Sequence, residues 1–181
     1  MTTAILGGVF DPPHLGHVAL AEGALRGLGA DRLLVLVAER PGHTPTVLDA
    51  DTRLDLARLA FDALPNTEVR LDDHAYTVDL LRDEDFRDAV FVIGADEWAA
   101  FDTWKEPDEV RRLIRLAVAA RPGEARPEGD VDVVEIDQRP VSSREVRARL
   151  ARGESVDDVV PEAVAREIEG RGLYRRDPSL K

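Results

Sequence analysis

The residues best equipped for chemistry lie near the start: Gly7-Gly8-Val9-Phe10-Asp11-Pro12-Pro13-His14-Leu15-Gly16-His17. A short apolar run, Ala4-Ile5-Leu6, precedes them and reads as a buried strand. An apolar-rich stretch from Val18 to Leu28 follows and reads as a helix. Glycines at the end of a strand let the backbone come close to a ligand. A helix start just beyond offers N–H groups and a positive dipole end to phosphate. His14 and His17, three apart on the first turn, would share one face. Together these features suit a site for a nucleoside triphosphate. The same turn also occurs in α/β proteins without that role, where the histidines would only cap and cover the helix.

Further constellations have both a chemical and a plainer reading. In Gly94-Ala95-Asp96, followed by Trp104 and Lys105, Gly94 would admit a nucleotide to the backbone and Asp96 would accept hydrogen bonds from ribose or base. Trp104 offers a flat face for stacking. The plainer reading makes Asp96 a helix N-cap and Trp104 a core filler. In Ser142-Ser143-Arg144-Glu145-Val146-Arg147, Ser142 and Glu145 have capping-box spacing. The same helix start, with two hydroxyls and Arg147 about one turn in, could grip a leaving pyrophosphate. Thr77 reads as the N-cap of another helix, with Tyr76 packing beside it. His43 reads as an exposed loop residue and His74 as surface.

The elements that must position these groups follow from apolar patterning. Ala4–Gly7, Arg32–Val37, Glu68–Leu71, Ala89–Ile93, Leu116–Ala120 and Val131–Ile136 read as strands. Leu15–Leu28, Ala50–Ala63, Thr77–Leu81, Pro107–Leu113, Ser143–Ala151 and Pro161–Glu169 read as helices. Alternation of this kind predicts an α/β fold with a doubly wound parallel sheet, Rossmann-like, of order 3-2-1-4-5 with an added strand and a small C-terminal helical segment. In that order the first and fourth strands flank the switch point, where ligands bind at the carboxyl ends. Gly7-Gly8 closes the first strand and Gly94-Ala95-Asp96 the fourth, so both turns fall beside one crevice. Arg40–Ala50, Asp72–Ala75 and Arg121–Asp130 read as mobile loops.

At 181 residues and 44% hydrophobic content, the expectation is a single domain, residues 1–181. Its core would cover 1–140, its C-terminal motif and helices 141–175, and a frayed tail 176–181. The absence of cysteine excludes a thiolate nucleophile, a disulfide frame and a cysteine zinc site. No signal-like start or run of about 20 apolar residues occurs, so the expected location is cytoplasmic, without membrane partners. A net charge of -12 argues against nucleic acid as a partner. A polyanion site in so acidic a chain needs local compensation from histidines, arginines, helix starts and a divalent metal carried by the triphosphate.

The opening string resembles the GGxFDPxHxGH signature of the HxGH nucleotidyltransferases. The Gly94-x-Asp96…Trp104 segment resembles the GxD…W segment of their nicotinate-mononucleotide adenylyltransferase branch. Ser142 to Arg147 is similar to the ISSTxxR motif, Ala75-Tyr76-Thr77 to S-Y-T, Pro41-Gly42-His43-Thr44 to P-P-H-K, and Gly172-Leu173-Tyr174 to the closing G-L-Y. Val9, Gly42, Thr44, Ala75 and Arg144 depart from those patterns. Several of these departures remove a hydroxyl or charge near a phosphate. Arg40 and Arg53 are candidates to replace the cation missing at Thr44.

The resemblance implies transfer of the adenylyl group of ATP to nicotinate mononucleotide, giving the dinucleotide of NAD biosynthesis and pyrophosphate. It implies catalysis by His14, His17 and Arg147, with the histidines charged beside the phosphates. The implied ATP contacts are Gly7, Gly8, Val9, Phe10, His14, Gly16, His17, Gly94, Asp96, Ser142, Ser143 and Arg147. The implied pyridine-nucleotide contacts are His43, Tyr76, Thr77, Trp104 and Lys105. Mg²⁺ would accompany ATP, with no metal site of the protein's own. Nicotinamide mononucleotide remains an alternative acceptor, and the oligomeric state is left open. Competing readings are another enzyme of the superfamily, such as a phosphopantetheine adenylyltransferase, or a nucleotide sensor without catalysis.

Overall fold

The computed structural model describes residues 1–42, 44–120, 127, 129, 131–136 and 141–175. Its six strands are β1 (Thr3–Gly8), β2 (Arg32–Ala38), β3 (Thr67–Asp72), β4 (Ala89–Ile93), β5 (Arg115–Ala120) and β6 (Asp132–Glu135). All pair in parallel, in the order β3-β2-β1-β4-β5-β6. The helices are α1 (Leu15–Gly27), α2 (Ala50–Phe61), α3 (Thr77–Asp83), α4 (Ala95–Ala99), α5 (Pro107–Leu113), α6 (Ser143–Ala151) and α7 (Glu162–Arg171). A 3₁₀ turn, Phe101–Thr103, follows α4.

Parallel strands buried on both faces are apolar throughout, and alternate residues serve opposite layers. Ala4 and Leu6 of β1, with Leu33, Val35 and Val37 of β2, join the layer formed by α1, α2, α6 and α7. Ile5, Leu34, Leu36, Phe91 and Ile93 face the other layer, which contains Val78 and Leu80 of α3, Phe101 of the 3₁₀ turn and Val110 of α5. The crossovers therefore change side after β3, and the switch point lies between β1 and β4. At Gly23 of α1 an added Cβ would lie 2.5 Å from Cγ2 of Ile136, the residue after β6.

The structure bears out the six strands, their order and the six helices read from the sequence, with ends shifted by one or two residues at most positions. The sequence reading had missed α4 and the 3₁₀ turn. The expected loop Asp72–Ala75 is corrected at its first residue, since Asp72 completes β3. Most of the loop Arg121–Asp130, and the tail 176–181, lie outside the described residues.

Candidate active site

At the carboxyl end of β1, Gly8 gives way to Phe10. A Cβ on Gly8 would sit 2.8 Å from the Phe10 ring, so glycine is required for the ring to fold back. Phe10 adopts left-handed backbone (φ 53) and is 1% exposed. Its ring stands edge-on to Phe61 at 5.7 Å and to His17 at 4.9 Å. The Asp11–Pro12 peptide bond is cis. His14 is the N-cap of α1 rather than a residue of its first turn, and His17 stands at the third helical position. The two rings stack, with centroids 3.7 Å apart and planes 20° from parallel.

The His14 backbone N–H donates to His17 Nδ1 at 3.2 Å. That places the His17 proton on Nε2, leaving Nε2–H as the ring's donor. His14 Nδ1 is the one buried side-chain polar atom among the described residues without a hydrogen-bond partner. Burial lowers the His14 pKa to about 4. Burial, and secondarily the neighbouring His14, lowers that of His17 well below the ordinary value. Burial thus favours the neutral form of both rings, whereas the expected charge depended on phosphates lying beside them. Removal from water, without a carboxylate partner, is the physical cause. The N–H groups at the start of α1 are also partly committed: Leu15 N–H donates to the Val159 carbonyl at 2.9 Å.

A cavity of about 550 Å³ opens at the carboxyl ends of β1 and β4. It is lined by Gly7 to Phe10, His14, Gly16 and His17, by Gly94 to Glu97, and by Val141 to Ser143 with Glu145. Eleven of the twelve residues read as ATP contacts face this one space; Arg147 does not line it. Gly94, not Asp96, caps α4, and its N–H donates to Glu97 Oε2 at 2.9 Å. Ser142 caps α6, its hydroxyl accepting the Glu145 N–H at 3.2 Å. Ser143 Oγ donates to the Pro12 carbonyl at 2.8 Å, and Arg147 Nη1 to the Asp11 carbonyl at 2.6 Å. Two bonds thereby staple the start of α6 to the histidine loop.

The residues read as pyridine contacts gather separately, outside that lining. Tyr76, not Thr77, is the N-cap of α3, and Thr77 is its first helical residue. Lys105 Nζ lies 4.9 Å from the Tyr76 ring centroid and 2.8 Å from Asp79 Oδ1. Trp104 rests its ring 5.0 Å from Phe101. His43 lies outside the described residues.

Two expectations about charged residues are corrected. Arg53 cannot serve as the exposed cation replacing Thr44, because it is 1% exposed. Its guanidinium donates to the carbonyls of Val9 (2.8 Å), Ala38 (2.7 Å), Glu39 (3.1 Å) and Leu48 (3.3 Å). It thereby joins the loop after β1 to the loop after β2. His74 is half-buried, not surface, with Nδ1 2.7 Å from Asp72 and Nε2 3.1 Å from Asp83. Its hydrogen bond to Asp72 chiefly raises its pKa. Sequence reasoning also passed over Asp11, whose carboxylate accepts from Val47 N–H and Tyr174 Oη–H. Its place inside the opening motif was the available signal. For Arg53 there was none, since a charged residue in an amphipathic helix ordinarily faces water.

A doubly wound sheet with a histidine pair at its switch point defines a nucleotide-handling α/β protein, and the chain belongs to the cytidylyltransferase-like family, which matches it over residues 5–149. It is 37% identical to a probable nicotinate-nucleotide adenylyltransferase of Bordetella avium, over 94% of this chain and 96% of that protein. It is 38% identical to a protein of the same description from Thermus thermophilus, over 97% and 100%. Within the family, these relatives place the chain among the nicotinate-nucleotide adenylyltransferases. In fold it is similar to a nicotinic acid mononucleotide adenylyltransferase of Plasmodium falciparum complexed with NaAD. That likeness has a TM-score of 0.79 at 16% identity and covers 96% of this chain and 97% of the other. No helix among the described residues is long and apolar enough to cross a membrane.

Proposed function

We propose that the cavity at the switch point binds ATP and that the protein transfers its adenylyl group to nicotinate mononucleotide, releasing pyrophosphate. The observation that carries this reading is convergence: His14 and His17, the Gly94–Glu97 turn and the Ser142–Ser143 helix start all face one space. A phosphate oxygen of the mononucleotide attacks the α-phosphorus of ATP. The new P–O bond forms as the bond to the bridging oxygen breaks, and that oxygen leaves with pyrophosphate. The nucleophile needs no activating base, because a phosphate monoester with a second pKa near ~6 is already largely dianionic at neutral pH.

What the protein supplies is alignment and charge stabilisation. His17 Nε2–H donates to the α-phosphate as negative charge develops. His14, which lines the cavity, contacts the phosphates. Arg147 stands outside the cavity lining with one N–H on the Asp11 carbonyl, and its remaining donors would have to turn towards the cavity to reach the β- and γ-phosphates. Gly94 and Asp96 would hold the nucleoside. Tyr76, Thr77, Trp104, Lys105 and His43 would hold the pyridine nucleotide. Mg²⁺ enters as the ATP complex. Asp96, Glu97 and Glu145 are the cavity's carboxylates, and with Glu97 already engaged by Gly94 N–H the ion's other ligands would come from phosphates and water.

The test is pyrophosphate release with Mg-ATP and nicotinate mononucleotide, nicotinamide mononucleotide or phosphopantetheine as acceptor. Release with nicotinate mononucleotide is expected. Release with phosphopantetheine alone, or none with any acceptor despite ATP binding, would replace this reading with one of its competitors.

A further inference from the structure

The closing segment Gly172-Leu173-Tyr174 has no part in the chemistry assigned above, yet its last side chain reaches the histidine loop. Gly172 takes left-handed backbone (φ 64) after α7, and the Leu173 N–H returns to the Ile168 carbonyl at 2.9 Å. Tyr174 is left-handed as well, at φ 61, which a bulky residue holds only when its surroundings over-determine it. Its hydroxyl donates to Asp11 Oδ1 at 2.7 Å, across 163 residues of sequence. Burial, reinforced by the Asp11 carboxylate, pushes the phenol pKa up, so the hydroxyl stays a donor.

Asp11 is 2% exposed and serves several segments at once. Its Oδ2 accepts the Val47 N–H at 2.6 Å, and its carbonyl accepts from Arg147 at 2.6 Å. It therefore ties the histidine loop to the segment entering α2, to α6 and to the chain end beyond α7. Without the phenol, Oδ1 would lose its hydrogen bond in a buried setting. Of the carboxylate's two described hydrogen bonds only that from Val47 would remain, and its hold on that segment would loosen.

We propose that Tyr174 is a positioning residue: its hydroxyl orients the Asp11 carboxylate, which locks the histidine loop and the Val47 segment into one register, keeping acceptor and triphosphate in line. This role rests on the transfer reaction proposed above. The variant Tyr174→Phe keeps the ring and removes only the donor. Its kcat is expected to fall on the order of ten- to hundredfold, because small misplacements are costly at a transfer site. The KM for ATP should stay within about twofold, since no ATP contact is removed. Deuterium exchange should quicken in peptides spanning 8–17 and 44–50 while the strands keep parental protection. Asp11→Asn should also slow turnover, and the double variant should be no slower than the slower single one, since both act through one bond.

Parental kcat in Tyr174→Phe would overturn the role. So would uniformly faster exchange, or additive losses in the double variant. If the parental chain releases no pyrophosphate, the transfer reading fails by itself. Parental exchange at 44–50 in Tyr174→Phe would still overturn the latch in that case.

Discussion

Replacing His14 with asparagine should remove an acid-labile part of the protein's stability. In the unfolded chain an imidazole binds its proton near the ordinary value of 6.5, whereas burial holds His14 in the fold near 4. As pH falls through 6.5 the unfolded state takes up the proton first, so stability declines. The His14 contribution is intact above 6.5, falls through the acid range and is lost once pH passes below the folded value. The full difference corresponds to about 3 kcal/mol, of which about 2 kcal/mol is gone by pH 5. With a urea slope near ~2 kcal/mol/M, the midpoint should drop by about 1 M between pH 7.5 and 5 on this account. His17 moves in the same direction. Urea unfolding of parent and His14→Asn at both pH values reads His14 together with its smaller effect on His17, because carboxylates and His74 contribute equally to the two proteins. A difference between them that does not change with pH would refute the claim that burial keeps this ring neutral.

Arg53→Met should lower stability by about 3–5 kcal/mol, since it strands buried carbonyls that accepted from a cation. The melting temperature should then fall by roughly 10 °C, with Arg53→Lys intermediate; a loss under about 2 °C would contradict the clamp. Gly23→Ala should destabilise by about 1–3 kcal/mol through overlap with Ile136, although helix propensity alone favours alanine, so the sign measured by thermal unfolding decides. His74→Gln should lose stability relative to the parent below pH 6.5, an advantage that disappears as pH rises through the raised value of His74. A parent-to-variant difference constant from pH 5.5 to 9 would contradict the bridge to Asp72 and Asp83.

The sheet was legible because strands covered on both faces, such as Ala89–Ile93, must be continuously apolar. Glycines at the ends of β1 and β4 then placed the crevice without any coordinates. α4 was not legible, because five residues carry no helical period and only Trp98 and alanines mark an apolar side. The protonation of the histidines was hidden for a different reason. Their spacing gave the shared position, but only packing against Phe10 and against each other shows how little water reaches them. Arg53 and the Asp11–Tyr174 bond depend on segments 44 and 163 residues apart, which no local pattern reports. The plainer readings failed by two residues at α4, where Gly94 takes the cap expected at Asp96, and by one at α3, where Tyr76 takes the cap expected at Thr77.

His17 Nε2–H serves the transition state at the switch-point cavity rather than the binding of ATP. Titration calorimetry with ATP and steady-state pyrophosphate release, run side by side on parent and His17→Ala, test it most directly. The ATP dissociation constant should stay within a few-fold of the parent while kcat falls by hundreds-fold, equivalent to about 3–4 kcal/mol in the barrier. Turnover near the parental rate with His17 absent would contradict it.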